Sequence, residues 1–145
     1  MADAAYAPLK LETEPKASDI QILEERIDDF NVRETGISDG KRFGLFLRET
    51  EGAVIGGAEG WTWGGVCYIR HLFVPAEVRG LGNGSRLMEQ IEAEARLRHC
   101  EQMLVETHDF QAPDFYLRHG FAIIGTIEGY PRGHRRFTLV KRLKG

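Results

Sequence analysis

The segment Val66–Ser85 decides the fold. Its first nine residues, Val66–Val74, read VCYIRHLFV and are rich in the β-branched and aromatic residues that favour a strand. After one proline the character changes, and Arg79–Ser85 reads RGLGNGS. Apolar residues then recur at helical spacing, which predicts a helix over Ser85–His99. The segment therefore predicts a strand, a glycine-rich loop and a helix in direct succession.

The glycine-rich loop is suited to an anion. Backbone amides at a helix N-terminus lack intrahelical partners and carry the positive end of the helix dipole. Gly80, Gly82 and Gly84 have no Cβ, so the backbone can approach a phosphate closely, and Arg79 and Arg86 can add positive charge. The alternative is a tight connection between strand and helix. Three glycines in five residues are more than such a connection requires, which favours a phosphate site.

Two common phosphate motifs do not match this loop. A dinucleotide fingerprint that begins at Gly80 needs glycine or alanine at position 85, where the chain has Ser85. A P-loop ends in Gly-Lys-Ser or Gly-Lys-Thr, which the segment lacks. The loop therefore predicts a phosphate-bearing cofactor other than NAD or ATP.

The remaining elements follow from hydrophobic periodicity. A helix is predicted after Ser18, ending at Gly36, and another over Ala112–His119. Further strands are predicted at Tyr6–Glu12, Arg42–Glu49, Ala53–Trp61, Gln102–Thr107, Phe121–Ile127 and Phe137–Leu143. Three of the strands, from Arg42 to Val74, form an antiparallel meander. No linker or internal repeat interrupts residues 1–145, so we expect one domain of mixed α/β class, with helices on the faces of one sheet.

Composition narrows the classes of function. The 145 residues carry a formal net charge of −3, which argues against nucleic-acid binding. Cys67 and Cys100 match no metal-ligand or disulfide pattern, so reduced thiols, no metal site and a cytoplasmic location are expected. No stretch has the character of a signal peptide or a membrane span, which predicts a protein that is neither secreted nor membrane-bound.

Two segments together resemble the GNAT superfamily of N-acetyltransferases. That family carries Arg or Gln, two residues, Gly, one residue, then Gly or Ala, and Arg79, Gly82 and Gly84 fit this pattern after the strand Ile69–Pro75. Downstream, DFQAPDFYLRHGF at 109–121 is similar to a family block that reads Asn, two residues, Ala, three residues, Tyr, and ends in Gly-Phe. The chain has Asp109 where that block usually has Asn. The resemblance covers about residues 43–121.

The resemblance implies a mostly antiparallel mixed sheet that splays open where acetyl-CoA binds. It implies that the amides of Gly80–Ser85 hold the pyrophosphate and that the backbone near Phe73 and Val74 pairs with the pantetheine arm. Residues expected at acetyl-CoA are Phe73, Val74, Arg79, Gly80, Leu81, Gly82, Asn83, Gly84, Ser85 and Asp109. Tyr116 matches the usual general acid, and a phenol with a pKa of about 10 stays protonated at neutral pH.

The acceptor side is less defined by the sequence. Strand alternation places Tyr68 and Arg70 on one face of Val66–Val74, which the resemblance implies is the acceptor face. The same alternation places His71 on the other face with Ile69 and Phe73, which favours a packed or hydrogen-bonded histidine over a general base. Glu106 and His108 share one face of the next strand and are the candidates for the general base, ahead of Glu59.

Aromatic residues and a shaped loop flank this face. Trp61, Trp63 and Tyr68 form a cluster that either stacks on a planar or cationic acceptor or belongs to the core. The loop 128–134, EGYPRGH, contains Tyr130 and is expected to cover the acceptor site, with Glu128 recognising a cationic amine. Arg70, on the acceptor face, favours an acceptor with a carboxylate or phosphate.

The resulting functional prediction is an acetyl-CoA-dependent N-acetyltransferase. It moves an acetyl group to the primary amine of a small molecule by direct attack in a ternary complex. A protein lysine or N-terminal amine is the alternative acceptor, and a noncatalytic acyl-CoA-binding module is a further alternative, which would keep the loop and lose the acid. Because many members of this family are dimers, the resemblance also allows a homodimer.

Overall fold

The computed structural model describes residues 5–143 and divides after Ile37 into two compact units. The first unit contains helix α1 (Ala17–Thr35), which ends at Gly36 with φ 73°. The Gly36 amide donates to the Val32 carbonyl oxygen at 2.7 Å, so the predicted helix and its glycine stop are confirmed. No helix within residues 5–143 is long and apolar enough to cross a membrane.

The predicted strand at Tyr6–Glu12 is wrong. These residues have no regular secondary structure, and the strands of the described chain begin at Lys41. A strand exists only where a neighbouring strand accepts and donates its backbone hydrogen bonds. The prediction rested on the weak alternation of Leu9 and Leu11 with polar residues, and such a pattern does not show whether a partner strand is present.

The second unit is an open six-stranded sheet with helices. Its strands are β1 (Lys41–Arg48), β2 (Val54–Trp63), β3 (Val66–Phe73), β4 (Gln102–His108), β5 (Ala122–Glu128) and β6 (Arg135–Arg142). Its helices are α2 (Asn83–Leu97) and α3 (Pro113–Arg118), with a 3₁₀ turn at Ala76–Val78. The strand order is β1-β2-β3-β4-β6-β5, and all neighbours are antiparallel except β3 and β4. The mixed, mostly antiparallel sheet and the three-stranded meander are confirmed, with element ends within a residue or two of those predicted.

The core lies on one face of the sheet. Helix α2 buries Leu87, Met88, Ile91 and Ala95. The sheet contributes alternate residues to the same cluster: Cys67, Ile69, Met103, Val105 and Leu139. Because side chains of a strand alternate between faces, the intervening residues of β3 and β4 are left for the opposite face. That face carries the candidate site.

The sheet splays open between β3 and β4. Their parallel pairing runs from Val66 with Gln102 to Ile69 with Val105 and stops there. Beyond this point β3 continues to Phe73 without pairing to β4. The two strand ends therefore part and flank an opening, as the resemblance implies.

A β-bulge lies at the start of this opening. Gly60 of β2 pairs with Ile69, but its neighbour Glu59 pairs with His71, so Arg70 is the extra residue. A Cβ on Gly60 would lie 1.9 Å from the Tyr68 carbonyl oxygen, so only glycine fits against the bulged strand. The bulge changes the phase of β3, because the side chains of Arg70 and His71 both contact Glu59.

Replacement of Gly60 tests this close approach. We expect Gly60→Ala to lower the free energy of unfolding by about 3 kcal/mol, because the methyl group overlaps backbone that cannot rotate away. Gly125→Ala is the matched control, since a Cβ there meets no atom within 4 Å and Gly125 also lies in a strand. Urea unfolding of the two variants measures the difference. Equal unfolding free energies for Gly60→Ala and the wild type would contradict the bulge geometry.

Candidate active site

The glycine loop offers free backbone amides. Gly80 and Gly82 have φ of 79° and 82°, a left-handed conformation that favours glycine. The first amide of α2 with an intrahelical acceptor is Arg86, which donates to the Gly82 carbonyl oxygen at 3.0 Å. Among the described residues, the amides of Gly80–Ser85 have no backbone acceptor. A Cβ on Gly80 or Gly82 would meet no atom within 4 Å, so the loop fits a pyrophosphate group.

Side chains around the loop hold it in shape. The Asn83 side-chain amide donates to the Val78 carbonyl oxygen at 3.2 Å, and Arg86 donates to the Asn83 side-chain oxygen. Asn83 therefore stabilises the loop from within. Leu81 is largely exposed.

Arg79 connects the loop to the end of β3. Its Nε donates to the Val74 carbonyl oxygen at 2.8 Å, and its guanidinium carbon lies 6.0 Å from the centre of the Phe73 ring. The structure thus brings Arg79 together with the two residues expected to pair with the pantetheine arm.

Helix α3 packs against the loop. A Cβ on Gly84 would lie 3.0 Å from the Phe115 ring, and Ser85 Oγ is 3.1 Å from His119 Nε2. The rings of Phe115 and His119 are 4.6 Å apart. Neither residue is among the predicted site residues, although both flank Tyr116 in the family block and their spacing of four places them on one face of a helix. The loop and the segment that carries the predicted acid therefore form one packed group.

Tyr116 is buried in this group. Its side chain packs against the rings of Phe115 and Phe121 at 5.2 and 5.6 Å, and only 5% of the residue is exposed. Burial raises the pKa of Tyr116 to about 12. The hydroxyl makes no hydrogen bond to any residue of the described chain. The phenol is therefore protonated at neutral pH, and none of the described residues accepts its proton.

Glu106 of β4 lies on the sheet face opposite the core and contacts two side chains there. Tyr68 Oη donates to Glu106 Oε1 at 2.8 Å, and Arg136 Nη2 lies 3.1 Å from the same oxygen. Both contacts fall on Oε1, and within residues 5–143 Oε2 has no hydrogen-bond partner. Burial and the bond to Glu106 raise the pKa of Tyr68, so this hydroxyl stays a donor. The Trp61 ring packs on Tyr68 at 5.0 Å, which confirms that the two aromatic residues lie together.

The loop between β5 and β6 is held against β4 through Tyr130. The Arg136 guanidinium carbon lies 5.3 Å from the centre of the Tyr130 ring, and Nη1 donates to the Tyr130 hydroxyl at 3.4 Å. His108 Nδ1 is 2.9 Å from the Tyr130 carbonyl oxygen. A carbonyl only accepts, so His108 donates through Nδ1, and its neutral ring keeps a lone pair on Nε2. The structure thus brings together Glu106, His108 and Tyr130.

Asp109 is bound to the same loop. Its Oδ1 lies 3.0 Å from His134 Nδ1, and its Oδ2 accepts the Arg135 amide at 3.2 Å. Phe110 lies between two imidazoles, with ring centres 5.1 Å from His108 and 5.0 Å from His134. Both carboxylate oxygens of Asp109 are therefore committed to the loop, and its role at acetyl-CoA stays a prediction.

Arg70 does not offer a free charge to an anionic acceptor. Its Nε and Nη2 donate to the two oxygens of Glu59, each at 2.8 Å, and its guanidinium carbon lies 5.4 Å from the centre of the Trp61 ring. The hydrogen bond from Arg70 is the largest influence that lowers the pKa of Glu59. Arg70 therefore acts as the partner of Glu59, and Glu59, an ionised carboxylate with both oxygens occupied, is poorly suited to be the base.

The predicted face of His71 is wrong, but the predicted alternative of a hydrogen-bonded histidine is confirmed. Its Nδ1 lies 2.9 Å from Glu59 Oε2, and 73% of its side chain is exposed. Strand alternation places His71 with buried Ile69, but the bulge at Arg70 moves it to the face of Glu59. The glycine opposite the bulge, Gly60, was the available signal.

Glu128 lies at the end of β5, the edge strand of the sheet. It is 77% exposed, and its ion pair is to Arg135 on the neighbouring strand at 3.5 Å. Its predicted contact with a cationic amine stays a prediction. Within residues 5–143, no three His, Cys, Asp or Glu side chains are arranged to hold a metal ion.

Comparison with known proteins gives one consistent result. Residues 7–121 match the sequence model of the acetyltransferase (GNAT) family. Blasticidin-S acetyltransferase of Streptomyces morookaense is 42% identical over 96 residues, which are 66% of this chain and 68% of that enzyme. A crystal structure described as an acetyltransferase from Agrobacterium tumefaciens has a TM-score of 0.85 at 29% identity, covering 94% of this chain and 100% of the other.

A more distant structure adds a bound molecule. A protein described as a streptothricin acetyltransferase from Bacillus anthracis, in complex with acetyl coenzyme A, has a TM-score of 0.61 at 22% identity. The match covers 71% of this chain and 63% of the other, and at this identity it shows a common fold.

Replacement of Gly82 tests the loop. We expect Gly82→Trp to weaken acetyl-CoA binding by about 100-fold, because the indole occupies the space beside the free amides. Gly52→Trp is the control: Gly52 also has a positive φ and an unobstructed Cβ position, but it lies in the β1–β2 turn. Calorimetric titration with acetyl-CoA compares the two. Wild-type affinity in a folded Gly82→Trp variant would disprove the loop assignment.

Proposed function

Because the chain belongs to the acetyltransferase (GNAT) family and uses acetyl-CoA, we propose that it acetylates the primary amine of a small molecule by direct attack. The observation that carries the proposal is the acceptor face, on which Glu106 lies between the aromatic residues Trp61, Tyr68 and Tyr130. Support for a small acceptor comes from the β5–β6 loop, which Tyr130 holds against His108 of β4 and Arg136 of β6 on this face. Further support is the relative that acts on blasticidin S.

The acceptor is held by groups of β2, β3 and β4. Glu106 binds the ammonium through Oε2, because Oε1 already accepts from Tyr68 and Arg136. His108 contacts the same amine through Nε2. Both residues touch the acceptor and are catalytic in this sense. The ring of Trp61 supplies an apolar wall.

Acetyl-CoA supplies an activated acetyl group as a thioester. The loop Gly80–Ser85 binds its pyrophosphate through backbone amides, and Arg79 fixes the end of β3 beside it. Tyr116 donates the phenolic proton to the departing sulfur, since an acid near this atom avoids release of a free thiolate. The noncatalytic alternative is disfavoured by Tyr116, because a simple binding module has no use for a protonated, unengaged phenol in this position.

A panel of amines tests the proposed acceptor. Thiol release from acetyl-CoA is measured with nucleoside antibiotics, aminoglycosides, amino acids, polyamines and lysine peptides. The buried Cys67 does not interfere, because burial raises the pKa of its thiol to about 12. We expect turnover with a small amine and none with peptides. Turnover with peptides alone would identify a protein acetyltransferase, and binding of acetyl-CoA with no turnover on any amine would favour the noncatalytic module.

The role of Tyr116 is tested by removal of one oxygen. We expect Tyr116→Phe to lower kcat by about 100-fold or more with unchanged acetyl-CoA affinity, because only the proton donor is lost. With its pKa at about 12, the wild-type phenol keeps its proton up to pH 10, so its ionisation causes no alkaline loss of rate below that pH. The acetyl-CoA affinity of the same variant serves as the internal control. Unchanged turnover in Tyr116→Phe would remove the tyrosine from the mechanism.

A further inference from the structure

Two histidines lie on opposite sides of the opening between β3 and β4. The last paired residues are Ile69 and Val105. Two residues further along the strands lie His71 on β3 and Thr107 on β4, which precedes His108. Because of the bulge, the His71 side chain lies on the same face as Glu59 and hydrogen-bonds to it. Arg70, which also binds Glu59, lies over the ring of Trp61 on the acceptor face.

We propose that His71, oriented by Glu59, is the general base that takes the proton from the acceptor ammonium. The inference rests on the proposed function and deepens it, because Glu106 and His108 hold the amine without having to accept its proton. His71 is a catalytic residue in this proposal, and Glu59 is a positioning residue.

The hydrogen bond to Glu59 selects the tautomer of His71 that carries its proton on Nδ1. An ionised carboxylate only accepts, so His71 Nδ1, 2.9 Å from Glu59 Oε2, carries the ring proton. The neutral ring then has its lone pair on Nε2. With 73% of the side chain exposed, an amine in the opening can reach that atom. A carboxylate that fixes the tautomer of a catalytic histidine is a recurring arrangement.

Charge distinguishes His71 from His108 as a proton acceptor. His71 faces the Glu59 carboxylate, which stabilises the imidazolium as it forms, whereas His108 faces the neutral carbonyl of Tyr130. Arg70 on β3 also binds Glu59, and its positive charge offsets part of the attraction between Glu59 and the imidazolium. On β4, the charge of Glu106 is paired with that of Arg136. Arg70 also lowers the pKa of Glu59, so this carboxylate stays charged while the histidine changes its protonation state.

The proton balance closes with the groups present. One proton passes from the ammonium to His71 Nε2 and from there to solvent, which frees the amine lone pair. The nitrogen forms its bond to the acetyl carbon as the carbon–sulfur bond breaks. Tyr116 gives its proton to the sulfur, and the second proton lost from the nitrogen restores the phenol. One ammonium and one thioester thus yield an amide, a thiol and one free proton.

The orientation by Glu59 is measurable without turnover. In the ¹⁵N-labelled protein, ring nitrogen shifts identify the tautomer of His71, with His71→Asn as the assignment control. We expect the form protonated on Nδ1 to dominate in the wild type. Glu59→Ala removes the acceptor of that proton, so this form is no longer selected. A wild-type ring protonated on Nε2 overturns the inference, whatever the amine panel shows.

Kinetics test the base itself. With an amine that the panel identifies, we expect His71→Ala to lose about 100-fold or more in kcat at neutral pH, with acetyl-CoA affinity unchanged and partial rescue by added imidazole. Glu59→Ala should reduce kcat with little change in acceptor KM, and His108→Asn should mainly raise acceptor KM. His99→Asn is the control, because His99 is exposed, lies at the end of α2 and has φ 61°, which asparagine tolerates.

The outcomes separate the two proposals. Retention of wild-type kcat in His71→Ala, or loss of the histidine-dependent limb of the pH–rate profile only in His108→Asn, overturns the assignment of His71 while the acetyltransferase function stands. Absence of turnover with every amine contradicts the proposed function instead, and the tautomer measurement then still decides the orientation of His71 by Glu59.

Discussion

The site depends on one constraint: β3 and β4 pair over only four residues and then part. The paired part is fixed by the core, because Cys67, Ile69, Met103 and Val105 are buried in one cluster with α2. Beyond Ile69, β3 still pairs with β2, but its backbone groups on the β4 side have no strand partner, and such groups require one. The opening, the loop that follows β3 and the placement of the acceptor face all follow from this separation.

Two similar arrangements line the acceptor face. On one side Glu59 holds Arg70, whose guanidinium lies over Trp61; on the other Glu106 holds Arg136, whose guanidinium lies over Tyr130. Partly exposed ion pairs contribute little to stability, so these pairs matter chiefly for geometry. Each arginine fixes the orientation of one carboxylate and one aromatic ring. Because each carboxylate has an arginine partner, the face is close to charge-balanced and is organised before an acceptor binds.

The glycine loop and the segment that carries the proposed acid pack against each other. Gly84 and Ser85 of the loop contact Phe115 and His119 of the segment that carries Tyr116. These contacts connect α3 to the start of α2. A Cβ on Gly84 would lie against the Phe115 ring, whereas a Cβ on Gly80 or Gly82 would meet no atom within 4 Å. The packing of α3 therefore explains why the loop is crowded at Gly84.

Local sequence alone determined the helices and strands of residues 17–142, because these follow from hydrophobic periodicity. It also determined the glycine loop, through backbone freedom, and the common face of Glu106 and His108, through strand alternation. It could not determine the fate of Tyr6–Glu12 or the orientation of His71. A strand needs a partner distant in sequence, and a bulge is a mismatch between two strands that neither strand shows by itself. Similarly, the sequence predicted that Arg70 could bind an anionic acceptor, but the fold places Glu59 beside it and pairs the two charges. The tertiary structure decided these points because they depend on which backbone and which charge lie across the sheet.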